Sequence, residues 1–185
     1  VTKPITVTVT GSNDAVEITS ESQTAAIAEL AHAHNSATPD TASGAITFVD
    51  TDLSDTHNVK LAGVSASGVV TGLANGAVQL NWLSLGSLSD STNGVTGSQS
   101  WTFSAPDSYF DYLADGETVT LTYTVEVDDH HGSCAWQDIV VTVTGSNDAP
   151  VIGAIAQQNL TEQSDASALT STIAVNFTDL DLSDV

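Results

Sequence analysis

The chain repeats itself. TVTVTGSNDA over Thr6 to Ala15 returns as VTVTGSNDA over Val141 to Ala149, which places Gly11 and Gly145 134 positions apart. A second motif follows each copy in the same order, FVDTDLSD at Phe48 to Asp55 and FTDLDLSD at Phe177 to Asp184. Two motifs recurring together at nearly one spacing define a period, and a period this long is a whole domain rather than a solenoid turn. The chain therefore reads as three pieces. Residues 1–13 are the last strand and linker of a preceding repeat, 14–147 one complete repeat, and 148–185 the N-terminal fragment of the next. Beginning at Val1 with neither a Met nor a signal peptide, it reads as a slice of something longer.

Within the period the signals are for strands. TVTLTYTVEV, Thr118 to Val127, alternates strictly and puts Val119, Leu121, Tyr123, Val125 and Val127 on one face. Ile139, Val141 and Val143 repeat the pattern, as do Ile5, Val7 and Val9. Asp128 to Ser133 between two such runs reads as a hairpin loop. Weaker strand signals cover Ala45 to Val49, His57 to Val64, Ala77 to Leu83 and Gln99 to Ser104. In Gln23 to His34, Ile27, Leu30, Ala31 and His34 fall at helical spacing, and at most a short helix is expected. Short strands separated by Gly, Asn, Asp and Ser turns predict an all-β, antiparallel, immunoglobulin-like sandwich. A two-strand fragment cannot bury its apolar face alone. Residues 149–185 are accordingly expected to be poorly ordered, or to pair with Ile5 to Thr10, within the chain or between molecules.

Charge narrows the function. There are 23 acidic and only 2 basic side chains, yet charged residues make up just 14% of a chain that is 41% hydrophobic. That balance belongs to a folded chain rather than a disordered acidic tail. With Lys3 and Lys60 the only permanent cations, nucleic-acid binding is excluded. No apolar run approaches the length of a membrane span, so no membrane insertion is expected. Cys134, the single cysteine, has no internal partner for a disulfide.

The acids gather at strand ends and linkers. Asp50 and Asp52 follow one strand, and Asp179 and Asp181 repeat that arrangement. Asn13-Asp14 and Asn147-Asp148 lie in the links. Asp115 and Glu117 precede the long strand, and Asp128-Asp129 follows it. Asp at alternate positions of a tight loop can aim several oxygens at one ion, and calcium takes six to eight. Turn chemistry alone also favours Asp and Asn, but it does not explain a set that recurs with the repeat. No EF-hand loop is present. The five histidines lack zinc spacing and read as solvated loop residues. No paired-carboxylate cleft, nucleophile elbow or P-loop stands out, so the chain is not expected to be an enzyme. Trp82, Trp101 and Trp136 read as core; two of them exposed on one face would make a sugar-binding platform.

The stretch WTFSAPDSYFDYLADGETVTLTYTVEVDDHHG, Trp101 to Gly132, with VTVTGSNDAPVI, Val141 to Ile152, resembles the VCBS repeats of giant bacterial RTX-type adhesins. These are similar to cadherin-like modules. The resemblance implies calcium held between successive domains. Carried over, Glu29 matches the first-strand acid, with Glu21 or Glu17 as substitutes. Asp115 and Glu117 match the D-x-E motif, Asn147 and Asp148 the linker, and Asp179 and Asp181 the next domain's loop. At the other end Asn13, Asp14, Asp50 and Asp52, joined by Asp128, would meet ligands from the preceding repeat. Asp55 and Asp184 are ligands or turn residues. GSNDAP has fewer acids than the cadherin linker, which implies fewer ions per junction. The resemblance implies a calcium-stabilised extender of a secreted or surface-attached bacterial adhesin, used in adhesion and biofilm. Its partners would be adjacent repeats of the same chain and, on the alternative reading of a ligand-binding module, a surface glycan or protein.

Overall fold

The structure, a computed structural model, describes residues 2–162, 164 and 167–183. Among these residues, ten strands and one short α-helix follow in chain order. They are β1 (Glu17–Ile18), β2 (Gln23–Ala28), β3 (Pro39–Val49), β4 (Asn58–Gly68), α1 (Gly76–Leu80), β5 (Leu83–Ser89), β6 (Gly97–Pro106), β7 (Thr118–Asp128), β8 (Cys134–Thr144), β9 (Val151–Ile152) and β10 (Phe177–Thr178). Two four-stranded sheets, ordered β1-β3-β6-β5 and β2-β8-β7-β4, enclose one main core. The fold is a β-sandwich.

Alternation builds that core. Val119, Leu121, Tyr123, Val125 and Val127 are all fully buried on the inner face of β7, with Ile139, Val141 and Val143 beside them on β8. Ile46, Trp101 and Phe103 face them from the other sheet, and the rings of Phe103 and Tyr123 meet across the sandwich at 6.2 Å. Outward positions of the same strands carry Thr and Ser, such as Thr118, Thr120, Thr122 and Thr124 on β7 and Ser98, Ser100, Thr102 and Ser104 on β6.

Two local expectations fail. Gln23–Ala28 is a strand, not a helix: it pairs with β8 in parallel over six residues, so the sheet is mixed rather than purely antiparallel. Alanine is the best helix former, but such propensities are small per residue and tertiary context overrides them. Here the unpaired edge of β8 decides, with Ala25 and Ile27 packing on the core and Thr24 and Ala26 turned to solvent. Conversely, much of Ala77 to Leu83 is helix. The Asn75 side chain accepts hydrogen bonds from the N–H groups of Ala77 and Val78 and caps α1, an N-terminal signal that outweighs the apolar run.

Most strand ends gather at two poles; the passage from β1 to β2 instead crosses midway along the sandwich, where the N–H groups of Thr19 and Ser20 bond the Thr47 carbonyl and Gln23 pairs with Ile139. The entry pole, where the chain arrives through Asn13 and Asp14, holds the loops after β3, β5 and β7. The exit pole, where it leaves through Gly145, holds the loops after β2, β6 and α1 and the turn before β7. Ile5, Val7 and Val9 are exposed and take part in no ladder. Among the described residues, the C-terminal segment forms only the short β9–β10 pair and does not pair with residues 5–10.

Gly145 shows how tightly the exit is built. A Cβ there would lie 2.4 Å from both the Cβ and the carbonyl oxygen of Leu113, whereas at Gly11 nothing lies within 4 Å. Gly145→Ala is expected to cost about 1–3 kcal/mol through forced backbone displacement, and Gly11→Ala close to nothing. Thermal unfolding of both variants checks the contrast.

Candidate metal centre

At the entry pole, the DTDLSD turn folds on its own carboxylates. Asp50 Oδ1 accepts the Asp52 N–H at 2.8 Å, and Asp52 Oδ2 accepts the Asp14 N–H at 2.6 Å. Oxygens of Asp50, Asp52 and Asp55 all lie within 4.8 Å of one another. Asn13 Nδ2 donates to Asp129 Oδ2 at 3.0 Å, tying the linker to the β7–β8 loop. Asp129 also accepts the N–H groups of His131 and Ser133, and against the effect of its burial these bonds bring the carboxyl down to about 2. Asp55 Oδ2 is 3.1 Å from His131 Nδ1, although that nitrogen's hydrogen bond runs to the Asp129 carbonyl at 2.9 Å.

His57 is not a solvated loop residue. It is buried against the Phe48 ring, with Nε2 3.1 Å from Asp50 Oδ2 and Nδ1 2.7 Å from Asp90 Oδ1. Burial pulls its pKa down, but the two carboxylates outweigh that and raise it.

The exit pole repeats the linker geometry. Asp181 Oδ2 accepts the Asp148 N–H at 2.9 Å, and Asp179 Oδ1 accepts the Asp181 N–H at 3.3 Å. Asn147 Nδ2 donates to the Asp148 carbonyl at 2.8 Å, just as Asn13 Nδ2 does to the Asp14 carbonyl at 2.9 Å. These three contacts, Asp52 N–H to Asp50, Asp14 N–H to Asp52 and Asn13 to the Asp14 carbonyl, thus have their counterparts in the second copy. What the exit pole adds is acids from the sandwich itself. Glu29, Asp111 and Asp148 bring carboxylate oxygens within 4.8 Å of one another, and all three residues are buried. Backbone bonds hold the set in place: Ser146 N–H donates to Glu29 Oε2, Asn35 N–H to Asp111 Oδ2, and Leu30 N–H to Asp107 Oδ1.

Several oxygens are left over. Glu29 Oε1, Asp40 Oδ2, Asp107 Oδ2, Asp111 Oδ1 and both oxygens of Asp148 are buried without a hydrogen-bond partner. Neither lysine is at hand: Lys60 pairs with Glu126 at 3.1 Å, and Lys3 lies in the exposed N-terminal segment. Burial, helped by Asp148, Asp107 and Asp111 and opposed by the Ser146 N–H, pushes Glu29 up to about 8. Burial, and then Asp107, push Asp40 up to about 6. Asp107 and Asp148 are also raised, chiefly by burial, with Asp111 adding to both. Buried carboxylates without partners either keep protons or gather a cation. A hard, oxygen-only donor set of this kind suits calcium.

Comparison with known proteins adds little here. No family model matches the chain, and no curated protein matches it. Among solved structures, it is similar to the ASH / PapD-like domain of human CEP192 (PapD-like domain 7), at 12% identity and a TM-score of 0.42, over 80% of this chain and 96% of that one.

Of the twelve residues singled out from the sequence, the structure gathers Glu29, Asn147, Asp148, Asp179 and Asp181 at the exit pole and Asn13, Asp14, Asp50 and Asp52 at the entry pole. Asp115 is exposed and outside the cluster, and Glu117 is turned to its own loop, where Oε2 accepts the Ala114 N–H. Asp128 caps the hairpin by accepting the His130 N–H, and it groups with Glu126 and Cys134 instead. Asp184 falls outside the described residues. Sequence reasoning missed Asp40, Asp107 and Asp111 at the exit, and Asp90 and His57 at the entry; of the Asp128-Asp129 pair that follows the long strand, it is Asp129 that reaches the linker. Asp107 and Asp111 bracket the aromatic S-Y-F triplet right after β6, a strand-end position that was the available signal.

Proposed function

We propose that the chain is a calcium-stabilised structural repeat, an extender of a large secreted or surface-attached bacterial adhesin, of the VCBS, cadherin-like kind. The supporting observation is the exit pole itself. Buried carboxylates of one repeat (Glu29, Asp107, Asp111) meet the linker acid Asp148 and the next repeat's Asp181, with no lysine or arginine to offset them. A calcium ion there would join domain, linker and neighbour in one coordination shell, and so stiffen the joint. The recurrence of the linker geometry at the entry pole supports tandem use. On this reading Asp14, Asp50 and Asp52 are the half-shell that a preceding repeat completes. The partners are adjacent repeats of the same chain, and the weak calcium affinity of extracellular modules, on the order of 0.1–1 mM, suits a module that folds outside the cell. Among the described residues, no helix is long and apolar enough to cross a membrane.

The carbohydrate-binding alternative gains no observation. Trp82 is buried against Phe103, Tyr109 and Phe110, and Trp101 is buried with its Nε1 donating to Gln23 Oε1. Trp136 alone of the three is exposed, so the paired platform is not formed.

The test is the double variant Glu29→Gln, Asp148→Asn. It is expected to lose most of the calcium-induced rise in midpoint, while its calcium-free form becomes more stable than the parent, because two crowded charges are gone. A calcium response equal to the parent's would sink the proposal.

A further inference from the structure

The loop between β2 and β3 is bent against the preference of its residues. His32 (φ 60°) and Asn35 (φ 53°) both take the left-handed conformation, which residues other than glycine adopt sparingly. Such outliers persist where surrounding contacts hold them. Here the Leu30 N–H donates to Asp107 Oδ1, the Asn35 N–H to Asp111 Oδ2, and the Ser108 N–H to the Ser36 carbonyl. What the bends deliver is His34. Its Nε2 lies 2.8 Å from the carbonyl oxygen of Ala149, the first residue after Asp148. A carbonyl only accepts, so Nε2 carries the proton, which both the neutral ring and the imidazolium can place there.

A second tether lies farther along the chain. The Leu182 N–H donates to the Tyr112 carbonyl at 3.3 Å. A Cβ at Gly72 would lie 2.8 Å from Tyr112 Cγ and 3.1 Å from Leu182 Cδ1, so the glycine leaves room for ring and leucine together. The bond from the Asp148 N–H to Asp181 Oδ2 joins the two tethers. None of these contacts needs an ion. At the entry pole the same motif positions are Ala15, which follows Asp14, and Leu53, which follows Asp52. Among the described residues, neither the Ala15 carbonyl nor the Leu53 N–H has a hydrogen-bond partner.

We propose that His34, Tyr112 and Gly72 form a seat on the exit face that takes the base of a following unit of the same kind and sets its direction without an ion. His34 is the positioning residue of that seat. It recognises the carbonyl just after the Asn-Asp pair of the linker, while Tyr112 and Gly72 receive the leucine of the D-x-D-L-S-D turn. Ala15 and Leu53 present the same two features to a preceding unit. The inference rests on the tandem-repeat part of the reading above and not on its calcium.

Amide exchange of the full chain in chelator, followed by NMR, tests the seat. Leu182 and Leu53 each follow Asp and precede Ser, so their unprotected amides exchange alike. On the unaltered chain the Leu182 amide is expected to exchange about two- to tenfold more slowly than that of Leu53, the effect of one hydrogen bond. Equal rates overturn the proposal. His34→Ala is expected to cancel most of that difference, although the bond it removes is at Ala149 and not at Leu182. His34→Gln, whose amide can donate to the same carbonyl, is expected to restore it, and the unfolding midpoint of the sandwich is expected to stay unchanged in both variants. A Leu182 rate that His34→Ala leaves as it was overturns the proposal. Calcium added afterwards is expected to slow exchange at Asp148. If it does not, the calcium reading fails, while the rates in chelator still decide the seat.

Discussion

Removing calcium is expected to lower the unfolding midpoint of the chain by about 5–10 °C, and magnesium is expected to restore little of it. An ion that binds only the folded state stabilises by an amount set by its concentration relative to its dissociation constant. With a dissociation constant on the order of 0.1–1 mM and about 5 mM calcium, each site contributes about 1–2 kcal/mol. For a chain of this size each kcal/mol moves the midpoint by about 2–4 °C. Magnesium demands a small octahedral shell and gives up water reluctantly, so an irregular set of carboxylates held by backbone bonds serves it poorly. The measurement is thermal unfolding followed by circular dichroism in calcium, in chelator, and in chelator with magnesium. Equal midpoints in all three would return the polar carboxylates to turn chemistry.

Without calcium, the chain is expected to become more stable as pH falls from about 8 to about 5, the reverse of ordinary acid denaturation. Glu29 is held up to about 8 and Asp40 up to about 6 in the folded chain, chiefly by burial. A carboxyl that holds its proton more tightly when folded favours the fold while it is protonated, and disfavours it once both states are ionised. The loss therefore accumulates from the unfolded value of 4.5 upward and is complete above about 8 for Glu29, where it is on the order of 5 kcal/mol. His57, raised by Asp90 and Asp50, slopes the same way. Asp129, held down to about 2, opposes this only in acid, where protonation of Asp129 removes its contribution. Calcium must displace the protons it replaces, so its stabilising effect should shrink toward about pH 5. Melts in chelator at several pH values check this. A midpoint that climbs with pH across that range would show that the buried carboxyls are not protonated in the folded chain.

The strands were legible wherever side chains alternate against a core, because that pattern is local. Thr118 to Val127 carried its burial in its spelling. Gln23 to Ala28 did not, because its conformation is decided by β8, more than a hundred residues away, and alanine fits either structure. Asp50, Asp52, Asp148 and Asp181 could be singled out because they recur with the period. Asp40 and Asp107 could not be found that way. Each is an isolated acid beside a proline, and only the pairing of β3 with β6 brings them together. His57 escaped for a similar reason: its loop position suggested solvent, while Asp50 and Asp90 enclose it from two different loops.

The parallel pairing of β2 with β8 bears on how such a module carries load. On the extender reading, tension applied along a row of such domains would enter near β1 at the entry pole and leave after β8 at the exit pole. The first strands and the last are then pulled in opposite directions past each other. The six residue pairs from Gln23↔Ile139 to Ala28↔Thr144 lie side by side along the direction of pull. Their hydrogen bonds, which run across that direction, must fail together in shear instead of opening one after another like a zip. If the proposed ions clamp the joint at either end, a ladder loaded in shear between them would make a mechanical link that resists extension along its whole length.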